Sequence, residues 1–151
     1  MSWSTLTEAK FLQHCTGAET NAIKTAALGT GQGEPLTDTL ARVVQEVRGY
    51  IGAWSANTLG DGSTIPAELE SAAVAIARFR ALNRLPVKSL LTDNRVQEYK
   101  DALRLLEQVA AGKFAIEKPE TASAQVIERG GAVEVVSSTT RRATREKLSG
   151  L

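Results

Sequence analysis

The amino-acid sequence predicts a mainly α fold: a bundle of about five helices over residues 1–118, then an extended C-terminal arm over residues 119–151 carrying a candidate β-hairpin. Three observations predict it. Apolar residues recur at three- and four-residue spacing through the long central segments, the period of a helix with one buried face. Aromatic residues make up 5% of the chain against 42% hydrophobic, so the core must be built from Leu, Val, Ile and Ala. After Pro119 the pattern breaks, first into small polar residues and then into β-branched clusters. A chain of 151 residues can close one ordinary core and bury roughly 70% of the surface its unfolded form exposes.

Taken in order, Thr5 to Glu8 and Thr16 to Glu19 both have capping-box spacing, which predicts two short helices near 6–14 and 17–28. The stretch Gly29-Thr-Gly31-Gln-Gly33-Glu-Pro35 then interrupts the chain. A phosphate-binding loop should follow a strand, whereas this one follows the helix-forming IKTAAL, so a plain interhelical loop is expected. The next helix shows Leu40, Val43, Val44, Val47, Tyr50, Ile51 and Trp54 on one face, with Arg42, Gln45, Glu46 and Arg48 on the other. Gly49 and Gly52, flanking Tyr50 and Ile51, could admit another backbone. Asn57 to Thr64 is a turn-rich loop, and Pro66 is placed to begin a helix.

The segment AELESAAVAIARFRALNRL carries Leu69, Ala72, Ala73, Ile76, Ala77, Phe79 and Leu82 over a wide arc, so it should lie centrally in the bundle. Arg78, Arg80 and Arg84 near its end match the helix dipole as solvated cations, and they are also the candidate subunit-interface residues within the bundle. Pro86 closes this helix. Thr92-Asp93 opens the last one, with a stripe of Val96, Tyr99, Leu103, Leu106 and Val109 or Ala110 and a C-terminal stop at Gly112. Phe114 and Ile116 should fold back on the bundle before Pro119, and nothing in the bundle demands a sheet.

Within the arm, Gln125 to Arg129 and Ala132 to Val136 flank Gly130-Gly131, the two-residue connection of a tight hairpin. Two strands alone are marginal in water. Arg141, Arg142, Arg145 and Lys147 against Glu146 then give 4 − 1 = +3, followed by Leu148 and Leu151, which one turn of helix would bring together. A helix that short needs a partner. The arm residues expected to bind another protein are therefore Val133, Val135, Arg141, Arg142, Arg145, Leu148 and Leu151. A functionless tail would be polar throughout, without the valine cluster or the leucine pair.

Charge and composition narrow the function. The formal net charge is +1 and the pI about 7.9, low for a strongly electrostatic nucleic-acid binder. One cysteine, Cys15, beside one histidine, His14, supplies neither a disulfide framework nor a soft-metal site within one chain. Adjacent on a helix, the two side chains diverge, which disfavours nucleophile activation, and carboxylate pairs such as Glu68 with Glu70 or Asp93 with Glu98 come with no pocket signature. No catalysis and no cofactor are expected. The N-terminal stretch MSWSTLTEAKFLQHC lacks a basic start and apolar run, and no apolar stretch is long enough for a bilayer, so a cytosolic protein without membrane partners is expected.

The segments IPAELESAAVAIARFRALNR (Ile65 to Arg84) and VQEYKDALRLLEQVAAGKFAI (Val96 to Ile116), with the terminal TREKLSGL (Thr144 to Leu151), resemble the small tailed-phage head-tail joining proteins of the Mu-like type. The resemblance runs from about Leu6 to Leu151. Leu151 stands where that family's closing Arg-x-x-Leu-x-Gly pattern ends on an aromatic, and the Leu36 to Ala67 region is longer and richer in loops.

The resemblance implies a structural virion protein: a connector or adaptor subunit in a homo-oligomeric ring, a dodecamer, beneath the portal protein, completing the DNA-filled head. It further implies a tail-terminator or stopper protein as the partner below, genomic DNA passing without sequence-specific binding, and a place in the virion neck after assembly in the host cytoplasm. The rival reading is a small helical DNA-binding regulator of helix-turn-helix type. Against it, the arginine-bearing helix is too apolar around its circumference to lie exposed in a groove.

Overall fold

The computed structural model describes residues 3–26, 35–86 and 88–120. Among them are five α-helices: α1 (Glu8–Gln13), α2 (Gly17–Ala26), α3 (Pro35–Ala53), α4 (Ala67–Arg84) and α5 (Asp93–Ala110). The mainly helical reading therefore holds. One small departure is a two-residue antiparallel pairing of β1 (Ser4–Thr5) with β2 (Thr64–Ile65), in which Ser4 faces Ile65 and Thr5 faces Thr64. Chain extended on both sides of the bundle end made this possible; a pairing so short leaves no period in the sequence. The candidate hairpin and the rest of residues 121–151 lie outside the described residues, as does the glycine-rich loop over 27–34.

The core is a three-helix arrangement in which α3, α4 and α5 pack on one another, α4 most extensively on α5. The wide apolar arc of α4 explains this: Leu69, Ala73, Ile76, Ala77 and Leu82 are fully buried, and small alanines let the neighbouring helices come close. Truncating a leucine such as Leu82 to alanine in such a site costs about 2–5 kcal/mol. From α3 come Val43, Val47 and Ile51, and from α5 Leu106 and Val109, all without exposure. Phe79 of α4 stacks on Tyr99 of α5, with ring centroids 4.1 Å apart and planes 11° from parallel. Short α1 and α2 cover one end of this core with Phe11 and Ile23.

Local chemistry sets the helix ends. Thr7, not Thr5, caps α1, its hydroxyl accepting from Lys10 N at 3.3 Å, while Thr5 is drawn into the strand pair. The second capping box forms as expected: Glu19 N–H donates to Thr16 Oγ1 at 3.3 Å, and Thr16 N–H donates to Glu19 Oε2 at 2.7 Å. Pro35 is the first residue of α3, whereas Pro66 sits one position earlier than expected, at the N-cap of α4. α5 ends in a Schellman turn: Gly112 has φ +71°, its N–H donates to Val109 O at 3.0 Å, and Lys113 N–H donates to Gln108 O at 2.9 Å.

Among the described residues no backbone packs against Gly49 or Gly52. A Cβ on Gly49 would meet nothing within 4 Å, and on Gly52 it would touch the Leu59 side chain at 3.7 Å.

Candidate functional site

Two features of the bundle bear on the expected sites: the arginines of α4, and the corner where the chain departs after α5. The three arginines are not a uniform solvated set. Arg78 is buried, with 8% exposure, and its guanidinium is committed within the fold: Nη1 donates to His14 O at 2.6 Å and Nη2 to Glu98 Oε2 at 2.5 Å. Its position on α4 points it across the end of α1 towards α5, so the helix-dipole reading as an exposed cation does not describe it. Arg80 pairs with Glu46 of α3 at 2.5 Å, and Arg84 Nη1 donates to Thr39 Oγ1 at 3.4 Å. All three make contacts inside the subunit.

Arg78 is the end of a run of alternating charges. Arg95 of α5 binds Glu19 of α2 through both forks, Nε to Oε1 at 2.9 Å and Nη2 to Oε2 at 3.2 Å. Its Nη1 then donates to Glu98 at 3.1 and 3.2 Å, and Glu98 accepts from Arg78. Burial alone would raise the pKa of Glu19, but the Thr16 N–H and the Arg95 guanidinium outweigh it and hold the carboxyl below the usual range. Burial likewise opposes the charge on Arg95, and the two glutamates more than restore it. Beside this run, burial first and Glu19 second push the Cys15 thiol up to about 11, so it stays protonated near neutral pH. Its Sγ lies 3.6 Å from Phe11 O. The four charged groups pin α1, α2, α4 and α5 together, a structural use of ionic chemistry.

Among the described residues no group of three or more His, Cys, Asp or Glu side chains is arranged to hold a metal ion. None of the described helices is long and apolar enough to cross a membrane.

At the departing corner, Phe114 and Ile116 pack half-buried against the core, as expected, and Pro119 is buried beyond them. Two tryptophans flank this strap. Trp54, just past α3, lies against Gly112, and Trp3 donates its indole N–H to Glu117 O at 2.9 Å. The loop under Trp3 is anchored by Arg48, whose Nη1 and Nη2 donate to Thr64 O at 2.6 Å and Gly60 O at 2.9 Å. Periodicity had placed Arg48 on the wet face of its helix. The carbonyls of a loop that returns to that face bring it inside, and no spacing rule announces them.

Val133, Val135, Arg141, Arg142, Arg145, Leu148 and Leu151 lie outside the described residues. Sequence reasoning passed over Glu19, Arg95 and Glu98 as a set. The capping box at Thr16 was the available signal, since it orients the Glu19 carboxylate towards the helix start, where a cation can meet it.

Comparison with known families matches residues 6–135 to the family described as Bacteriophage Mu, Gp36. The matched span takes in the bundle from Leu6, the first candidate hairpin segment and the second as far as Val135, and the basic stretch from Arg141 lies beyond it. Neither the curated proteins nor the solved structures contain a match.

Proposed function

The chain belongs to the Bacteriophage Mu Gp36 family, and from that premise we propose that it is a head-tail connector subunit, a structural protein of phage assembly. In this reading the helical bundle forms the wall of a homo-oligomeric ring between the portal protein and a tail-terminator or stopper protein. Residues 121–151 make the contacts between neighbouring subunits or with those partners. The ring gives each marginal hairpin an identical neighbour, so strands can add edge to edge without leaving a free edge.

The observation that carries the proposal is the family match over residues 6–135, in a sequence that runs on from the bundle into apolar and basic stretches. The bundle's core cluster runs from Leu6 to Val109, with Phe114 and Ile116 packed against it, yet the sequence continues into Val133, Val135, Val136, Leu148 and Leu151. In this reading those apolar side chains serve contacts with another protein. The near-neutral net charge of +1 suits a channel through which DNA passes without sticking.

The DNA-binding regulator is the weaker reading. Arg78 is buried, Arg80 is paired and Arg84 is hydrogen-bonded, so α4 offers no row of free arginines to a groove.

Charge reversal at Arg145 and a polar substitution at Leu148 separate the two readings. Arg145→Glu or Leu148→Asp should weaken joining of heads to tails at least tenfold in an in vitro assembly assay while the melting temperature stays unchanged. Full joining by both variants, or tight duplex binding by the wild type in a gel shift at moderate salt, would tell against a connector.

A further inference from the structure

We infer that Trp3 and Trp54 are positioning residues which clamp the strap following α5 and so fix its course along the bundle from Gly112 to Pro119. The inference rests on the connector reading for its purpose and on geometry alone for its existence.

The strap is short and extended. Beyond the Schellman turn at Gly112, Phe114 and Ile116 face the core while Ala115, Glu117 and Lys118 face outward, before Pro119 turns in again. An extended segment has no helical ladder to stiffen it, and holding each residue in one conformation costs about 1–2 kcal/mol. Something must therefore supply the restraint, and both tryptophans of the chain stand here.

At the start of the strap, Trp54 lies so close to Gly112 that a Cβ there would come within 2.5–2.7 Å of three ring carbons. Such contact defines the ring's seat. Trp54 nevertheless keeps 41% of its surface exposed. Core packing alone does not account for so large a side chain left so wet, whereas bracing the turn at Gly112 does.

Near the end of the strap, Trp3 makes the second contact through its indole N–H to Glu117 O. Its own seat is fixed from beneath. The ring lies on Gly60, where a Cβ would approach Cε3 to 2.7 Å, and Gly60 and Thr64 are tied to α3 by Arg48. The adjacent Ser4–Thr5 strand is pinned to Thr64–Ile65. A continuous line of contacts thus runs from α3 through Arg48, Gly60 and Trp3 to the carbonyl of Glu117.

A fixed strap matters to a ring subunit. Docking of residues 121–151 then costs less ordering entropy, and their concentration at a neighbour's surface rises.

The test uses the full-length chain in a Cys15→Ser background, with spin labels at Glu107→Cys on α5 and Lys118→Cys on the strap, both exposed positions. Pulsed dipolar spectroscopy should give a narrow distance distribution. Trp3→Phe, which keeps a ring and loses the donor, should at least double its width while helical circular dichroism is unchanged. An unchanged width overturns the clamp.

A measurement on the unmutated protein guards against a variant that fails to fold. The Trp3 indole proton should exchange with solvent at least tenfold more slowly than a free indole, and exchange at the free rate also overturns the clamp. If the width doubles but head-tail joining is untouched, the clamp stands and its part in docking fails; if the unmutated chain joins no heads to tails, the connector reading fails while the width still tests the clamp.

Discussion

Glycine positions show how one backbone angle or one neighbouring ring decides the effect of a methyl group. Gly112 combines φ +71° with the Trp54 ring at its back, so Gly112→Ala adds left-handed strain and displaces the indole. A loss of about 2 kcal/mol is expected in urea unfolding. Gly49, inside α3 with open space around it, behaves oppositely, and Gly49→Ala should gain about 0.5–1 kcal/mol by removing unfolded-state freedom. The C-terminal stop at Gly112 was legible in the sequence. Its second constraint was not, because Trp54 is remote in the chain and its approach is a product of folding. Arg48 and Arg78 make the same point: spacing places an arginine on a face, but the acceptors it meets belong to other segments.

Helices α3, α4 and α5 could be read from their apolar stripes, because burying one side of a long helix imposes a period that survives in the sequence. The short α1 and α2 depend instead on caps and on the ionic run, which explains the displaced N-cap at Thr7. Glu19 is the member of that run to test. Its folded pKa lies below the ordinary 4.5, so the unfolded chain takes up a proton first as pH falls. Its contribution is therefore complete above about pH 4.5 and is lost as pH drops through the folded value. Glu19→Gln should flatten this acid limb in pH-dependent urea unfolding. At pH 7 it should cost about 2 kcal/mol, less than for a fully orphaned buried charge, since Arg95 retains Glu98. A limb of unchanged slope would mean that other carboxylates set the acid sensitivity.

For the molecule as a whole, the proposal is a bundle that folds alone and a terminal segment that acts on other copies or proteins. The burial of α4 over a wide arc and the return of Phe114 and Ile116 were both legible, and they follow from hydrophobicity. What a folded surface presents to a partner depends on contacts the single chain does not contain, so sequence periodicity is silent there. The contact of Trp3 with Glu117 and the burial of Pro119 tie the segment after α5 to the bundle as far as Pro119. The most direct measurement is on a chain truncated after Glu120, followed by thermal unfolding and by head-tail joining in vitro. An unchanged helical signal, a melting temperature within a few degrees of the full chain, and no joining are expected. Collapse of the helical signal on truncation, or joining at the full-length level, would contradict the proposal.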